Sequence, residues 1–318
     1  MRPLAHLLFV TFCGCVSALT DAEIALFVAR THIETNTGVQ GTVSVTISST
    51  DSTVIDLSSN GVPDHATGTF PGNGNPNPLS VQTYNYRIPK NPTQASTTTC
   101  LPQGPIGLAL NGVPMFNPYS IQCCDTGVEE LDLFDSCMGH PAPQPAGAYH
   151  YHINPQCLFN VICNQTSTIV GVAFDGFPIY GPNDDDGTQL TISDLDECNG
   201  KVTNGQYRYH ITADFPYFMG CFKGSLLSDS GIQSGNCECT EVANPCTEFN
   251  EVSISRKKRQ ATSTSRVSTF VCCQDASNCN SNEVSTSTSS TTTSAASISF
   301  TSVGIQIVGI LYFSFLTL

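Results

Sequence analysis

An internal repeat in the middle of the chain is the feature that most constrains its fold. Residues 106–118 (IGLALNGVPMFNP) match residues 170–182 (VGVAFDGFPIYGP) position by position. Each copy is an apolar run, an Asn-Gly or Asp-Gly pair and a second apolar run, which predicts a β-hairpin closed by a type I′ turn. A Tyr-rich strand follows each hairpin, as residues 147–153 (GAYHYHI) and 205–211 (GQYRYHI).

The repeat predicts an all-β fold: a disulfide-stabilised, β-rich domain with an internal hairpin-plus-strand duplication and pseudo-twofold character. Residues 60–63 (NGVP) are interpreted as the remnant of a third hairpin. Before the strands, Thr20 and Glu23 have the spacing of a capping box and predict a short helix near the N-terminus. Period-two alternation then begins at Thr42.

The cysteine content indicates an oxidising compartment. The chain has 16 cysteines, and Cys13 and Cys15 lie in an apolar N-terminal run typical of a signal peptide. We expect residues 1–18 to be removed by cleavage after Ala18. The remaining fourteen form a group from Cys100 to Cys221 and a group from Cys237 to Cys279, and we expect disulfides rather than thiolate metal ligands.

The C-terminal end indicates a membrane anchor. Residues 303–318 are uncharged and strongly apolar, and residues 283–302 form a Ser/Thr-rich stalk with small residues. This order favours a GPI signal over a C-terminal transmembrane helix, because the tail is short and lacks a basic flank. The expected location is the extracellular face of the plasma membrane, with the outer membrane leaflet as a partner through the lipid anchor.

The mature chain divides into an ectodomain at residues 19–235 and a Cys-rich segment at residues 236–282. Asn164 begins a sequon for N-glycosylation, which predicts a surface loop. Four basic residues, 256–259, predict proteolytic cleavage after Arg259, and a solvated basic loop is the alternative. The net charge of −14 argues against a nucleic-acid partner, because phosphate binding needs clustered Lys and Arg.

Histidines in the repeated motifs are the candidate metal ligands. Alternate side chains share one face of a strand, so His150 and His152 should point one way and the neighbouring tyrosines the other. His140 and His65 lie in nearby motif segments, and the repeat places His210 in the phase of His152. Neutral imidazole suits copper or zinc, and metal binding should weaken as pH falls through the ordinary imidazole pKa near 6.5.

Two observations support other interpretations of the same residues. Arg208 stands in the phase of His150, and a fixed positive charge there would repel a metal, so a structural core of Tyr and His rings remains an alternative. Residues 184–186 are three consecutive aspartates that could supply oxygen ligands for calcium. Their spacing is not that of an EF-hand, and a solvated acidic turn is the favoured interpretation.

Several motifs together carry a resemblance to a known family. They are residues 139–141 (GHP), 147–158 (GAYHYHINPQCL), 175–182 (DGFPIYGP) and 215–222. Over about residues 60–224 the chain resembles the YHYH family. The resemblance implies an exported protein, and it implies no activity.

The sequence leaves three functions open. The first is a non-enzymatic binding or structural role in a GPI-anchored extracellular glycoprotein, with a copper or zinc site. The second is an acidic protein of the extracellular matrix or of biominerals. The third is a metal-dependent extracellular enzyme, which would need an open coordination position. No Gly-x-Ser-x-Gly, phosphate-loop or His-Glu-x-x-His motif occurs in the sequence.

Overall fold

The computed structural model describes residues 19–27, 30–72, 74–121, 123–232, 266–270, 272–273 and 284–288. The predicted cleavage positions Ala18 and Arg259, and the apolar tail at residues 303–318, lie outside the described residues. Within the described ranges, no helix is both long enough and apolar enough to cross a membrane.

Strands dominate the structure and the helices are short. The strands are β1 Arg30–Ile33, β2 Gln40–Ile47, β3 Val54–Ser59, β4 Tyr84–Pro89, β5 Gln94–Thr99, β6 Pro105–Ala109, β7 Pro114–Phe116, β8 Gly139–Pro141, β9 Tyr149–Tyr151, β10 Ile169–Ala173, β11 Pro178–Tyr180, β12 Gly200–Thr203, β13 Gln206–His210, β14 Phe222–Gly224, β15 Arg266–Phe270 and β16 Val284–Thr288. The helices are α1 Asp21–Leu26, α2 Thr126–Glu129 and the 3₁₀ turns Leu131–Leu133 and Ile192–Asp194. The predicted all-β class is confirmed, and α1 begins with the predicted Thr20–Glu23 capping box.

The duplication builds one eight-stranded sheet in the order β12-β13-β11-β10-β6-β7-β9-β8. We call β6 to β9 the first half and β10 to β13 the second half. The halves meet where β6 and β10 pair antiparallel, with Leu108 opposite Val172. These two residues are equivalent in the repeat, 64 positions apart, so a pseudo-twofold axis passes between them. The sheet therefore has the predicted twofold character.

The two repeated hairpins form as predicted, but the predicted type I′ turn is wrong. Gly112 (φ 85°) and Gly176 (φ 91°) adopt left-handed backbone conformations, whereas the preceding Asn111 and Asp175 do not. In the first hairpin the Gly112 N–H donates to the carbonyl of Ala109, which gives a type I turn followed by a left-handed residue. A type I′ turn would need positive φ at both central positions.

A second, four-stranded sheet in the order β1-β2-β3-β4 packs against the first. The rings of Tyr86 and Phe174 meet at 4.3 Å between centroids, and both side chains are buried. The interpretation of residues 60–63 as a third hairpin is wrong, because they leave β3 and enter a loop instead of a paired second strand. A Cβ at Gly112 would lie 2.6 Å from the Ser59 Oγ, so glycine also permits this close contact between sheets.

Disulfides stabilise both halves, and Cys100, Cys123, Cys124 and Cys273 are disulfide-bonded in addition to the three pairs described next. Cys137–Cys157 and Cys198–Cys221 occupy equivalent places in the two halves, and Cys163–Cys272 joins the two cysteine groups of the sequence. The same C-terminal segment is also hydrogen-bonded to the domain, since the Cys273 N–H donates to the Val161 carbonyl. Cys272 and Cys273 are thus held on the β-rich domain by covalent and backbone contacts.

Candidate functional site

The pairing of β8 with β9 brings three predicted ligands together. His140 lies opposite His150 in the register, and His152 follows β9 on the same face as His150. All three are buried, and their ligand nitrogens lie within 4.8 Å of one another. We call these three residues the histidine cluster. The Nε2 atoms of His140 and His150 are 3.2 Å apart. Two nitrogens bound to one tetrahedral zinc at about 2.0–2.1 Å would be about 3.3 Å apart.

Backbone carbonyls orient two of the rings. The His150 Nδ1 lies 2.9 Å from the Ala148 carbonyl, and the His152 Nδ1 lies 2.6 Å from the Asn117 carbonyl. A carbonyl oxygen only accepts hydrogen bonds, so both Nδ1 atoms must carry the proton. Each Nε2 therefore presents its lone pair to the cluster, as metal-ligating histidines do when a second partner fixes the tautomer.

Glu130 contributes an oxygen to the same site, and the sequence did not predict it. It follows α2, and its Oε2 lies 3.5 Å from the His140 Nε2 and 3.9 Å from the His152 Nε2. Burial, with a smaller effect from Glu129, raises the pKa of Glu130 to about 7. Only the fold brings this carboxyl group beside the histidines, because nothing in its local sequence distinguishes it from other acidic residues.

Burial also keeps the imidazoles neutral. Desolvation lowers the pKa of His140 to about 3 and that of His152 to about 4, and it places the pKa of His150 well below its usual value. The charged forms of the three rings would also repel one another. At neutral pH the cluster is a set of uncharged nitrogen donors, which is the form that binds a metal.

Aromatic rings and a disulfide make the cluster rigid. The Phe116 ring stacks on His150 with centroids 3.9 Å apart, and Phe134 meets His140 edge-on at 4.7 Å. The Cys137–Cys157 disulfide closes a segment that contains all three histidines. The low-dielectric surroundings explain the shifted pKa values, and the covalent closure limits how far β8 and β9 can separate.

An aspartate ties the strands of the site together. The Asp135 carboxylate accepts hydrogen bonds from the Tyr149 hydroxyl at 2.7 Å, the Cys137 N–H at 2.9 Å and the Gly139 N–H at 3.2 Å. These bonds fix the start of β8 against β9. Asp135 is a positioning residue for the histidine cluster that sequence reasoning missed.

His65, another predicted ligand, lies outside the cluster. Its Nε2 is 2.6 Å from the hydroxyl of Tyr151, whose side chain leaves β9 on the face opposite His150. The nearest potential ligands to His65 are Cys137 and Cys157, and these two are joined in a disulfide and offer no thiolate. The structure therefore separates His65 from the other predicted ligands.

The remaining predicted ligand, His210, lies in the second half. Its Nδ1 is 2.9 Å from the Gly181 carbonyl, and the ring is fully buried. Burial lowers its pKa to about 4. Its nearest charged neighbours are Arg208, Asp184 and Lys201 rather than other histidines. The structure therefore gives no two-copy histidine site across the repeat.

Other predicted site residues fall on the surface or in ion pairs. Asn164 is exposed and has a left-handed backbone conformation (φ 57°), so the predicted surface position is observed and its glycosylation stays a prediction. The aspartates considered as calcium ligands are largely engaged with cations: Asp184 pairs with Lys201 at 2.5 Å and Asp185 with Arg208 at 2.5 Å. These pairs leave less free carboxylate for calcium than the sequence suggested.

Fold and site together define a class: a disulfide-stabilised all-β domain of two equivalent halves, with a buried histidine cluster in the first. The chain carries a domain of the YHYH family, since residues 85–191 and 182–224 match the family described as YHYH protein. The expected resemblance is thereby confirmed. Neither a curated protein nor a solved structure matches the chain.

Proposed function

We propose that this chain is a GPI-anchored extracellular glycoprotein whose YHYH domain binds one copper or zinc ion in a non-enzymatic role. The observation that carries the metal site is the convergence of the three histidine nitrogens, with the His140 and His150 Nε2 atoms 3.2 Å apart. His140, His150 and His152 are the proposed ligands, and the Glu130 carboxylate is the fourth.

The donor set favours copper or zinc over calcium. Three imidazole nitrogens and one carboxylate oxygen suit zinc and copper, whereas calcium takes six to eight oxygens. The two cysteines nearest the site are oxidised, so the set contains no thiolate from them. Ionised Glu130 would also offset one of the two positive charges of a divalent ion in the buried site.

Burial of the ligands favours binding over catalysis. His140, His150 and His152 are all less than a tenth exposed, and the Oε2 of Glu130, the proposed fourth donor, lies within 3.9 Å of two of their Nε2 atoms. Closed four-ligand sites are typical of structural metals, while catalytic zinc sites keep a position for water or substrate. The metal-dependent enzyme is therefore the less supported alternative.

Export and anchoring are supported by the sequence at both ends and by the oxidised cysteines between them. Disulfides persist in extracellular compartments, and Cys163–Cys272 also connects the domain to the part of the chain that leads to the proposed anchor. Treatment of cells with phosphatidylinositol-specific phospholipase C should release the protein. Retention after that treatment would contradict the GPI anchor and favour a spanning helix.

Metal analysis of the purified full chain, which keeps the Cys163–Cys272 disulfide, tests the metal site. We expect one zinc or copper ion per chain, and a loss of bound metal in His150→Ala/His152→Ala. His65→Ala is the matched control, because it removes a histidine outside the cluster and should retain the metal. The metal should also raise the melting temperature, since it binds only the folded state.

Two results would contradict the metal site. One is a wild-type melting temperature that is the same with a chelator and with added zinc or copper. The other is equal metal content in the double variant and the wild type. Many weakly bound calcium ions without a transition metal would instead favour the acidic matrix or biomineral protein.

A further inference from the structure

The second half repeats the framework of the histidine cluster. Four residues recur with the same contacts, and the pairs are Asp135 and Asp196, Cys137 and Cys198, Gly139 and Gly200, and Tyr149 and Tyr207. The Asp196 Oδ1 accepts from the Cys198 and Gly200 N–H groups, each at 3.0 Å, and from the Tyr207 hydroxyl. The backbone that supports the cluster is therefore present twice.

At the three ligand positions the halves differ. His140 lies opposite His150 across β8 and β9, and the equivalent pair across β12 and β13 is Lys201 opposite Arg208. His210 is the only histidine retained among the three equivalent positions. Its Nδ1 contacts the Gly181 carbonyl as the His152 Nδ1 contacts that of Asn117, and those carbonyls are 64 residues apart.

Two carboxylates neutralise the two cations. The Lys201 Nζ is 2.5 Å from Asp184, and the Arg208 guanidinium is 2.5 Å from Asp185 and 3.4 Å from Asp184. The guanidinium also lies over the Tyr180 ring, 4.5 Å from its centroid. Arg208 is buried, Lys201 and Asp184 are partly accessible and Asp185 is exposed, and their two positive and two negative charges balance without a bound ion.

Two buried nitrogen atoms of this group have no hydrogen-bond partner, and one of them is the Arg208 Nε. The other is the Nε2 of His210. With Nδ1 bound to the Gly181 carbonyl, this Nε2 carries a lone pair, as the His152 Nε2 does in the first half. A buried acceptor without a donor is costly in an ordinary core, but it is the arrangement expected of a metal ligand without its metal.

We propose that the second half has the framework of a metal site but binds no metal, because Lys201 and Arg208 stand where the first half has the ligands His140 and His150. The cations of Lys201 and Arg208 supply the positive charge that a metal would supply in the first half, and Asp184 and His210 remain as an oxygen and a nitrogen donor. This inference rests on the proposed metal site of the first half. It implies that the chain binds one metal ion and that two substitutions restore the second site.

The test is zinc stoichiometry of the full chain, measured by titration calorimetry and elemental analysis. Lys201→His/Arg208→His should raise bound zinc from one to two ions per chain. Lys201→Gln/Arg208→Gln is the matched control, because it removes the same charges without adding imidazole, and it should stay at one. Each variant is first checked for native size and circular dichroism.

A second background separates this inference from the proposed function. On a His150→Ala/His152→Ala chain, which should bind no zinc, Lys201→His/Arg208→His should restore one ion. Zinc in that restored variant, with none in the wild type, would support a metal-site framework in the second half and contradict the proposed metal site in the first half. If the wild type binds one zinc ion and a folded Lys201→His/Arg208→His protein binds no more, the inference about the second half is overturned while the proposed function stands.

A single substitution covers the case in which the double variant does not fold. Arg208→His keeps Lys201 paired with Asp184 and adds one imidazole two residues from His210, on the same face of β13. We expect a second, weaker zinc-binding event that is absent from Arg208→Gln. A folded Arg208→His protein that binds no more zinc than Arg208→Gln would overturn the inference.

Discussion

The two halves of the eight-stranded sheet share a framework and differ in the side chains it presents. In the first half, burial is tolerated because the three imidazoles are neutral at neutral pH. In the second, the buried Arg208 and the partly buried Lys201 are matched by Asp184 and Asp185. The same backbone framework thus carries neutral imidazoles in one half and paired charges in the other, and only the first half brings three histidine nitrogens together.

Removing the disulfide of one half at a time should give the largest losses of stability. Comparing the two variants separates the effect on stability from the effect on metal binding. Cys137 and Cys157 are 20 residues apart and Cys198 and Cys221 are 23 apart, so opening either should cost about 3 kcal/mol of unfolding free energy. Only Cys137→Ala/Cys157→Ala should also weaken zinc binding, because its segment contains the three proposed histidine ligands. Equal zinc affinity in the two variants would contradict the role of the first disulfide at the site.

Neutralising one carboxylate in each half should show the electrostatic difference. Asp184→Asn leaves Lys201 and Arg208 with one carboxylate fewer, and we expect a loss of about 2 kcal/mol, below the cost of a fully buried pair because Asp184 is partly accessible. Glu130→Gln in the metal-free protein should cost less than about 1 kcal/mol, since its raised pKa keeps much of that carboxyl group protonated. Denaturant unfolding of both variants measures the difference. Equal losses of unfolding free energy in the two variants would contradict the difference in charge pairing between the halves.

The pH dependence of zinc affinity should show which group of the first half takes up a proton first. Below its pKa of about 7 the Glu130 carboxyl holds a proton that a metal must displace, while His140 and His152 stay neutral down to about pH 4. The affinity of the folded protein should therefore fall about tenfold per pH unit from pH 6.5 to 5, one proton for each metal. The sequence alone had placed loss of imidazole ligands near pH 6.5, and burial moves that loss lower.

Titration calorimetry at several pH values measures this slope. Glu130→Gln is the control, and its weaker zinc affinity should be independent of pH over the same interval. A fall much steeper than tenfold per unit in the wild type would mean that the imidazoles themselves are taking up protons, which would contradict their lowered pKa values.

The smallest expected effect concerns the segment held on the second half. The Gln189 side-chain amide donates to the Phe270 carbonyl, and Cys163–Cys272 joins the same segment covalently. Cleavage after Arg259 should therefore leave the mass on a non-reducing gel unchanged and give two pieces on a reducing gel. One band of full mass under reducing conditions would contradict cleavage.

The sequence predicted the parts of the fold that depend on local pattern. The repeated apolar runs placed the hairpins, and alternation along β9 placed His150 and His152 on one face. The turn type was wrong because Asn-Gly also fits a type I turn followed by a left-handed glycine. Residues 60–63 share the Asn-Gly signal but lack a partner strand, which only tertiary structure decides.

Residues brought together by the fold were harder to predict. Glu130 reaches the cluster from α2, ten positions before His140, and no periodicity links them. Lys201 could have been found by aligning Gly139-His140 with Gly200-Lys201, but that alignment needs an offset of 61 rather than 58 or 64. The loops between repeated strands differ in length, so one offset cannot align the whole repeat.

The pairing of Leu108 with Val172 on the pseudo-twofold axis relates the two halves as the subunits of a symmetric dimer are related. A chain with a single copy of the repeat would leave β6 as an open sheet edge, which favours pairing with another strand. Two such chains could close that edge as an isologous dimer, in which one residue meets its own counterpart. The present sheet has the geometry of that dimer within one polypeptide. Within one polypeptide the two copies can differ in sequence, so that one half presents histidines and the other an ion pair.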